Sequence, residues 1–482
     1  MATRSRPWPP GAEPTAPSKS RGSGEGAPIG ADYPSPIDSG ALVPTPDSAI
    51  EAYRRHHPRS AELHARATAL FPAQGATHFS RVHNPYRPYI VRAAGARKWD
   101  IDGHEYLDYV MGHGSLVLGH SHPAVVEAIQ RQAALGLHYG DNHPLEVEWA
   151  ERIRALMPTA ERIEFCASGQ EANQMGIRIA RASTGRRKLL KFQHNYHGWA
   201  DELAPKGAPG AIDDQVTVIP ANDLGLVEQH LVNRDVAVVL IEGGGGRTSG
   251  RAPTSVAFFQ ALPELCRRFG TVLLLDEVVT GFREAPGGWQ SVVGIVPDLT
   301  TIGKAASGGL AAGALLGRAD LLAALSPSAA ADRRVVHGGT WNAVPISCAA
   351  GIAACDLYPD GTPQRTARAR ADRFRRDVNA MFRRIGAPAR CYGRSIVQLY
   401  LGPVDQDPVD DTAAPAATAK LMDPASTPRH QRLDLHLLER GIATMRGEAL
   451  CFSAAHSEAD VDRTVAAFES AVRALIEEGG LA

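Results

Sequence analysis

Short apolar runs alternate with stretches of helical periodicity through the middle of the chain. Thr271-Val-Leu-Leu-Leu275 is a β-branched and leucine run, the pattern of a strand buried on both faces. Arg162–Ala167, Lys188–Phe192, Val236–Ile241 and Leu299–Ile302 read as further strands. Around them the apolar spacing changes to three and four. Pro123 sits at a first-turn position ahead of Val125, Val126 and Ile129, which predicts a helix. Residues 140–157 predict a second, with Leu145, Trp149, Ile153 and Leu156 on one face. A helix rich in Ala, Ile and Cys is expected up to about Tyr358. Strands alternating with helices from about 160 to 345 predict an α/β fold, its sheet mostly parallel and covered on both faces.

The pattern differs at the two ends. A helix is expected over about 48–70, and Asp102-Gly103, flanked by Trp99, Ile101, Tyr106 and Leu107, predicts a hairpin. Beyond Pro359 come an Arg-rich helix (about 364–385), an alternating strand (Ser395–Leu401) and a helix (Arg432–Arg440). A strand near Ala449–Phe452 and a last helix (Glu458–Ile476) complete a smaller α+β unit. Residues 402–428 are rich in Pro, Asp, Ala and Thr with few large apolar side chains, and read as a mobile insertion. Ten of the 34 prolines fall in the first 46 residues. Residues 1–47 therefore read as a disordered extension, without the apolar core of a signal peptide.

Composition narrows the function classes. With 44% apolar and 21% charged residues and a net charge of −1, nothing points to nucleic acid or an acidic membrane surface. No apolar run has the length of a transmembrane helix. The six cysteines (166, 266, 348, 355, 391, 451) are scattered without a CxxC pair, as expected of free thiols in a reducing cytoplasm. His113, His120, His122 and His138 match no zinc spacing, so no metal is expected from them.

The candidate chemistry lies at strand ends. Asp276 closes one apolar run and Lys304 follows another, where α/β sheets place their ligands. A carboxylate for a ring nitrogen and an amine for an aldehyde are the two groups that pyridoxal 5'-phosphate demands. Ser168-Gly169-Gln170-Glu171 lies between a strand and a helix. Its backbone amides can hold a phosphate there, and Ser168 can cap the helix at the same time. Tyr196 ends a strand, either to stack on a flat heterocycle or to join the core. Glu242 leads into the tetraglycine Gly243–Gly246, and Arg247 beside it can meet a carboxylate.

From about residue 75 to the C-terminus these segments resemble, in order, the class III aminotransferases of fold type I. The nearer likeness is to the branch of the glutamate-1-semialdehyde aminomutases. It rests on Val117-Leu-Gly-His-Ser-His-Pro123, Tyr196-His-Gly, Asp276-Glu-Val, Asp298-Leu-Thr with Gly303-Lys304, and Gly339-Thr340. The resemblance implies a large domain with a mostly parallel seven-stranded sheet (136–358) and a small domain made of 48–135 and 359–482. It implies that Lys304 takes up the aldehyde and shuttles the proton, and that Asp276 holds the pyridinium. Val278 and Tyr196 would flank the ring, with Ser168, Gly169, Gln170 and Glu242 also at the cofactor. Thr340 would reach the phosphate of a neighbouring subunit, so a homodimer with shared active sites is expected. Glu448 aligns with an acidic residue that faces the cofactor in the aminomutases.

Three departures bear on the reaction. The family's SGTEA is here Ser168-Gly-Gln-Glu-Ala172, which replaces a hydroxyl by an amide. The usual Glu-Pro pair is Glu242-Gly243. The loop Gly112-His-Gly-Ser115 resembles more closely the arylglycine aminotransferases of this branch, as does His143-Pro-Leu-Glu-Val-Glu-Trp-Ala-Glu-Arg-Ile153. An aminotransferase using an amino acid donor and a 2-keto acid is therefore expected, with His113, Tyr139 and Trp341 as candidates for an aryl pocket. The alternatives are an intramolecular aminomutase using Glu448, a racemase or decarboxylase on the same scaffold, and a non-catalytic relative.

Overall fold

The computed structural model describes residues 48–405 and 412–481; the expected extension over 1–47 lies outside them. Its centre is a seven-stranded sheet built from β1 (Arg162–Cys166), β2 (Lys188–Phe192), β3 (Val216–Ile219) and β4 (Val236–Glu242), followed by β5 (Val272–Glu277), β6 (Leu299–Gly303) and β7 (Gly313–Gly317). The spatial order is β1-β7-β6-β5-β4-β2-β3. Neighbours pair in parallel except β7, which runs antiparallel to both β6 and β1. Every residue of β4, β5, β6 and β7 is buried, because helices cover both faces. The helix α1 (Gly169–Thr184) follows β1 and packs across β7, β6 and β4. Gly176 lets it approach closely: a Cβ there would lie 2.7 Å from a Leu274 methyl.

Two smaller sheets stand beside the large one. The hairpin strands Arg97–Asp100 and Glu105–Asp108 join Ile90–Ala94 and, from far along the chain, Ile442–Ala443. The other sheet is Ala389–Gly393, Ile396–Leu401 and Ala449–Cys451. The helices Thr362–Ile385 and Glu458–Glu477 bury Phe374, Val378, Phe382, Phe468 and Val472 in one cluster with Val397, Leu399 and Leu450 of that sheet.

The structure corrects two expectations. The helix expected over 48–70 is two helices, Ser48–His56 and Pro58–Thr68, because Pro58 lacks an N–H and His57 leaves the helical region with φ −121°. The stretch expected as a mobile insertion is packed where it is described. Thr418–Leu421 forms a helical turn, and Leu421 is buried against Tyr392 and Tyr400. Its one anchoring leucine was too little to register in composition. Among the described residues no helix is long and apolar enough to cross a membrane.

Candidate active site

Three parallel strands bring their carboxyl ends into line. In the sheet register Glu242 lies beside Asp276, and Asp276 beside Thr301, so Lys304 follows just past the end of the same row. Lys304 has φ +46°, a left-handed conformation that costs a non-glycine residue about 1–2 kcal/mol. Among the described residues its Nζ donates to no protein acceptor. Burial lowers its pKa, against Asp276 and Glu242, which raise it.

Asp276 is buried and fully oriented. Its Oδ2 accepts from Asn173 Nδ2 (2.8 Å) and lies 2.7 Å from His197 Nδ1, while Oδ1 accepts from the Val278 N–H (2.9 Å). Asn173 is fixed in turn by Thr301 Oγ1 at 2.8 Å. The next residue, Glu277, turns the other way. Thr280, Trp289 N–H, Gln290 N–H and the Gln290 amide all donate to it. One carboxylate thus faces the site and its neighbour braces the loop behind it.

The start of α1 supplies an anion cradle. Ser168 caps the helix by accepting from the Glu171 N–H at 3.3 Å, and the amides of Gly169 and Gln170 stand at the positive end of the helix. Gly169 must be glycine, because a Cβ there would fall 2.4 Å from Val278 Cγ2. Gln170 Oε1 accepts from the Trp199 N–H at 2.7 Å. That bond leaves the donor end of the amide for the anion, which answers the loss of the family hydroxyl.

Glu242 is buried beside this cradle and its pKa is raised to about 8 by burial. It accepts from the backbone N–H of Tyr196 and of Ser249, both at 3.0 Å. Its role in the structure is therefore to pin the Tyr196 loop and the π-helical turn Gly246–Gly250 that follows the tetraglycine. On the opposite side Met111, Gly112, His113 and Gly114 all have positive φ. This strained turn is gripped by Arg283, whose Nε and Nη2 donate to Gly114 O (3.0 and 2.8 Å) and whose Nη1 donates to Phe452 O at 2.9 Å. It carries His113 against His78, ring centroids 5.4 Å apart. Burial, with His78 and Lys304 adding, pushes the His113 pKa down to about 4.

Lys304, Tyr196, His113 and Glu448 all line one cavity of about 1240 Å³. Glu448 is not free in it: Arg251 Nη1 lies 2.7 Å from Glu448 Oε2. The pair holds the carboxyl ionised, below its ordinary range despite burial. Arg446, which sequence reasoning missed, lines the same wall with φ +61°. Its Nε is buried without a partner, and its guanidinium meets no acceptor among the described residues. Asn173, His197 and Arg251 were missed as well. Tyr139, Thr340 and Trp341 lie outside this cavity on an exposed face, where His138 contacts the Thr340 carbonyl and the Trp341 ring. A single chain therefore does not bring the two aromatic candidates to Lys304.

These donors fit pyridoxal phosphate. An amine with no protein acceptor among the described residues follows β6, an oriented buried carboxylate closes β5, and an amide-lined helix start packs on Val278 just past that carboxylate. Comparison with known proteins agrees. The family profile described as Aminotransferase class-III matches residues 79–207 and 211–384. A curated glutamate-1-semialdehyde 2,1-aminomutase from Desulforamulus reducens is 34% identical, covering 81% of this chain and 91% of its own length. An omega-transaminase structure from Sphaerobacter thermophilus superposes with TM-score 0.76 at 32% identity, covering 86% and 97%. A β-phenylalanine aminotransferase from Variovorax paradoxus does so with TM-score 0.80 at 29% identity, covering 89% and 97%.

Proposed function

The chain belongs to the class III aminotransferase family, and from that premise we propose that it moves an amino group from an amino acid to a 2-keto acid in a ping-pong sequence. Its cofactor is pyridoxal 5'-phosphate. Once bound, that cofactor supplies an electron sink beside the carbon that carries the donor's amino group.

The chain's own groups then have separate tasks. Lys304 would hold the aldehyde, and its Nζ, whose pKa burial lowers, would carry the proton from the donor carbon to the carbon that brought the aldehyde. Asp276, fixed by Asn173 and His197, would keep the ring nitrogen protonated. Tyr196 and Val278 would flank the ring, and the amides of Gly169 and Gln170 with Ser168 would bind the phosphate. Arg446, whose guanidinium meets no acceptor among the described residues, is the cation that a donor or acceptor carboxylate would meet.

One observation carries the choice of aminotransferase over aminomutase. The acid at the aminomutase position, Glu448, is bound to Arg251 at 2.7 Å, so its charge is matched within the wall and the free group there is the cation Arg446. The aminomutase reading remains the second one, favoured by the curated relatives. A half-reaction separates them. The holoenzyme is mixed with L-glutamate, both enantiomers of an arylglycine, a β-amino acid or glutamate-1-semialdehyde, without a keto acid. Lasting conversion of the cofactor to its amine form by one amino acid is the expected result. Isomerisation of the semialdehyde with no acceptor, and silence with the rest, overturns it.

A homodimer is part of the same reading. Leu135, Leu137, Tyr139 and Trp341 are large apolar side chains exposed on the single chain, as at surfaces that associate. Buried against a second copy, this face would carry Thr340 towards that copy's phosphate site. A single-chain mass in solution for the holoenzyme contradicts the arrangement.

A further inference from the structure

A second cluster of ligating side chains lies apart from the Lys304 cavity, where the kink between the first two helices meets the hairpin. His57, Asp100 and His104 each offer one ligand atom, and the three atoms lie within 4.8 Å of one another. His57 Nε2 is 3.6 Å from Asp100 Oδ2, and His104 Nδ1 is 3.1 Å from the same oxygen. His57 and Asp100 are buried, whereas the His104 side chain is 40% exposed, so the cluster has an entry path from solvent. None of the three lines the Lys304 cavity.

Two of the three ligands are already oriented by outer partners. His57 Nδ1 lies 2.8 Å from the Tyr53 carbonyl, which can only accept. The ring proton is therefore on Nδ1 and Nε2 presents a lone pair, the arrangement usual for a metal-bound imidazole. Asp100 Oδ1 accepts from the backbone N–H of Asp102 (3.0 Å) and of His104 (2.8 Å), which aims Oδ2 at the two rings.

Tyr106 Oη lies 2.7 Å from both His57 Nε2 and Asp100 Oδ2, and its single proton can serve only one of them.

We propose that His57 Nε2, Asp100 Oδ2 and His104 Nδ1 bind a divalent transition-metal ion of the zinc class. Two imidazoles and one carboxylate are the donor set such ions take, with Tyr106 Oη or water completing the coordination. The ion answers the unpaired lone pair on His57 and frees the Tyr106 proton for Asp100. Its effect is structural. It fastens the start of the helix Pro58–Thr68 to the hairpin, and the chain after that helix runs on to wall the cavity at Phe71, Gln74 and His78.

The test uses the cofactor-loaded full chain, stripped of metal with a chelator and dialysed against Zn²⁺ alone. The expected result is one ion per chain. His104→Ala, at a partly exposed position that the fold tolerates, should lower the affinity by more than the roughly 10- to 100-fold that loss of an outer partner costs. Tm should rise with Zn²⁺ in the native chain and stay fixed in His104→Ala. Asp100→Asn should lose the ion too, and Co²⁺ should give visible bands in the native chain alone. No bound ion in the native chain, or equal binding and equal thermal response in His104→Ala, overturns the proposal.

Discussion

The site has two walls made in different ways. The wall formed by the ends of β4, β5 and β6 is over-determined, and Glu242 and Asp276 on it have two donors or more each. The wall facing it, from the 111–114 turn and the 444–449 loop, is built on left-handed residues, one matched ion pair and one unpartnered guanidinium. A group held on every side keeps one geometry and suits chemistry common to a whole family. A group with spare bonding capacity waits for a ligand. On the proposed reading, reaction belongs to the first wall and recognition to the second.

The largest effect should come from the first wall. Lys304→Ala would remove the proposed proton carrier, and turnover should fall by at least the roughly 10²- to 10⁴-fold that a positioned base contributes. Because the phosphate cradle and Asp276 are untouched, the variant should still retain cofactor on gel filtration. Next, Arg446→Met should raise KM for a carboxylate donor by roughly 10- to 150-fold, the equivalent of the ~1.5–3 kcal/mol of a charge-assisted hydrogen bond, with a smaller change in kcat. Equal losses in both constants would move Arg446 across to the reacting wall. Asn173→Ala leaves Asp276 two of its three donors. It should weaken cofactor retention, about tenfold by loss of one such bond, while KM for the donor stays close to native.

A pH experiment, read as the difference between the native chain and Glu242→Gln, probes the first wall. The Glu242 pKa in the fold is raised to about 8 by burial, above the ordinary value of an unfolded chain. A raised acid stabilises the fold fully below its unfolded pKa and loses that contribution as pH climbs through the folded value. The Tm of cofactor-free protein should therefore decline between about pH 5 and 8, and Glu242→Gln should flatten the decline. The smallest effect is expected at Gln170→Thr. The hydroxyl restores the family's donor but gives up the bond from Trp199 N–H, so cofactor affinity should shift by less than about tenfold.

How much of this could be read from sequence follows the same division. Asp276, Lys304 and the Ser168–Gln170 turn sit at the ends of apolar strands, so local pattern and place in the fold coincide. The pairing of Glu448 with Arg251 joins residues from distant parts of the chain, and no spacing announces it. Asn173 and His197 stood beside recognised motifs, yet only the fold shows that both point at Asp276. Tyr139 and Trp341 lie exposed on the single chain, so a place for them in the pocket depends on a second copy, which no local pattern announces. The edge strand Val216–Ile219 was passed over because four residues between Pro/Gly-rich turns give periodicity little to work on.

Arg283 has a bearing on how this pocket can be inherited. Its fully buried guanidinium clasps the turn that displays His113 and the strand end at Phe452 together, with no acid paired to it among the described residues. Neither segment can be reshaped while the other stays still, since a shift in one strands a buried positive charge. New substrate preference at this mouth should thus arise in blocks, with the turn, the clasp and the strand end replaced together. Lone exchanges at His113 itself, whose side chain the clasp does not touch, remain the one cheap step open to selection.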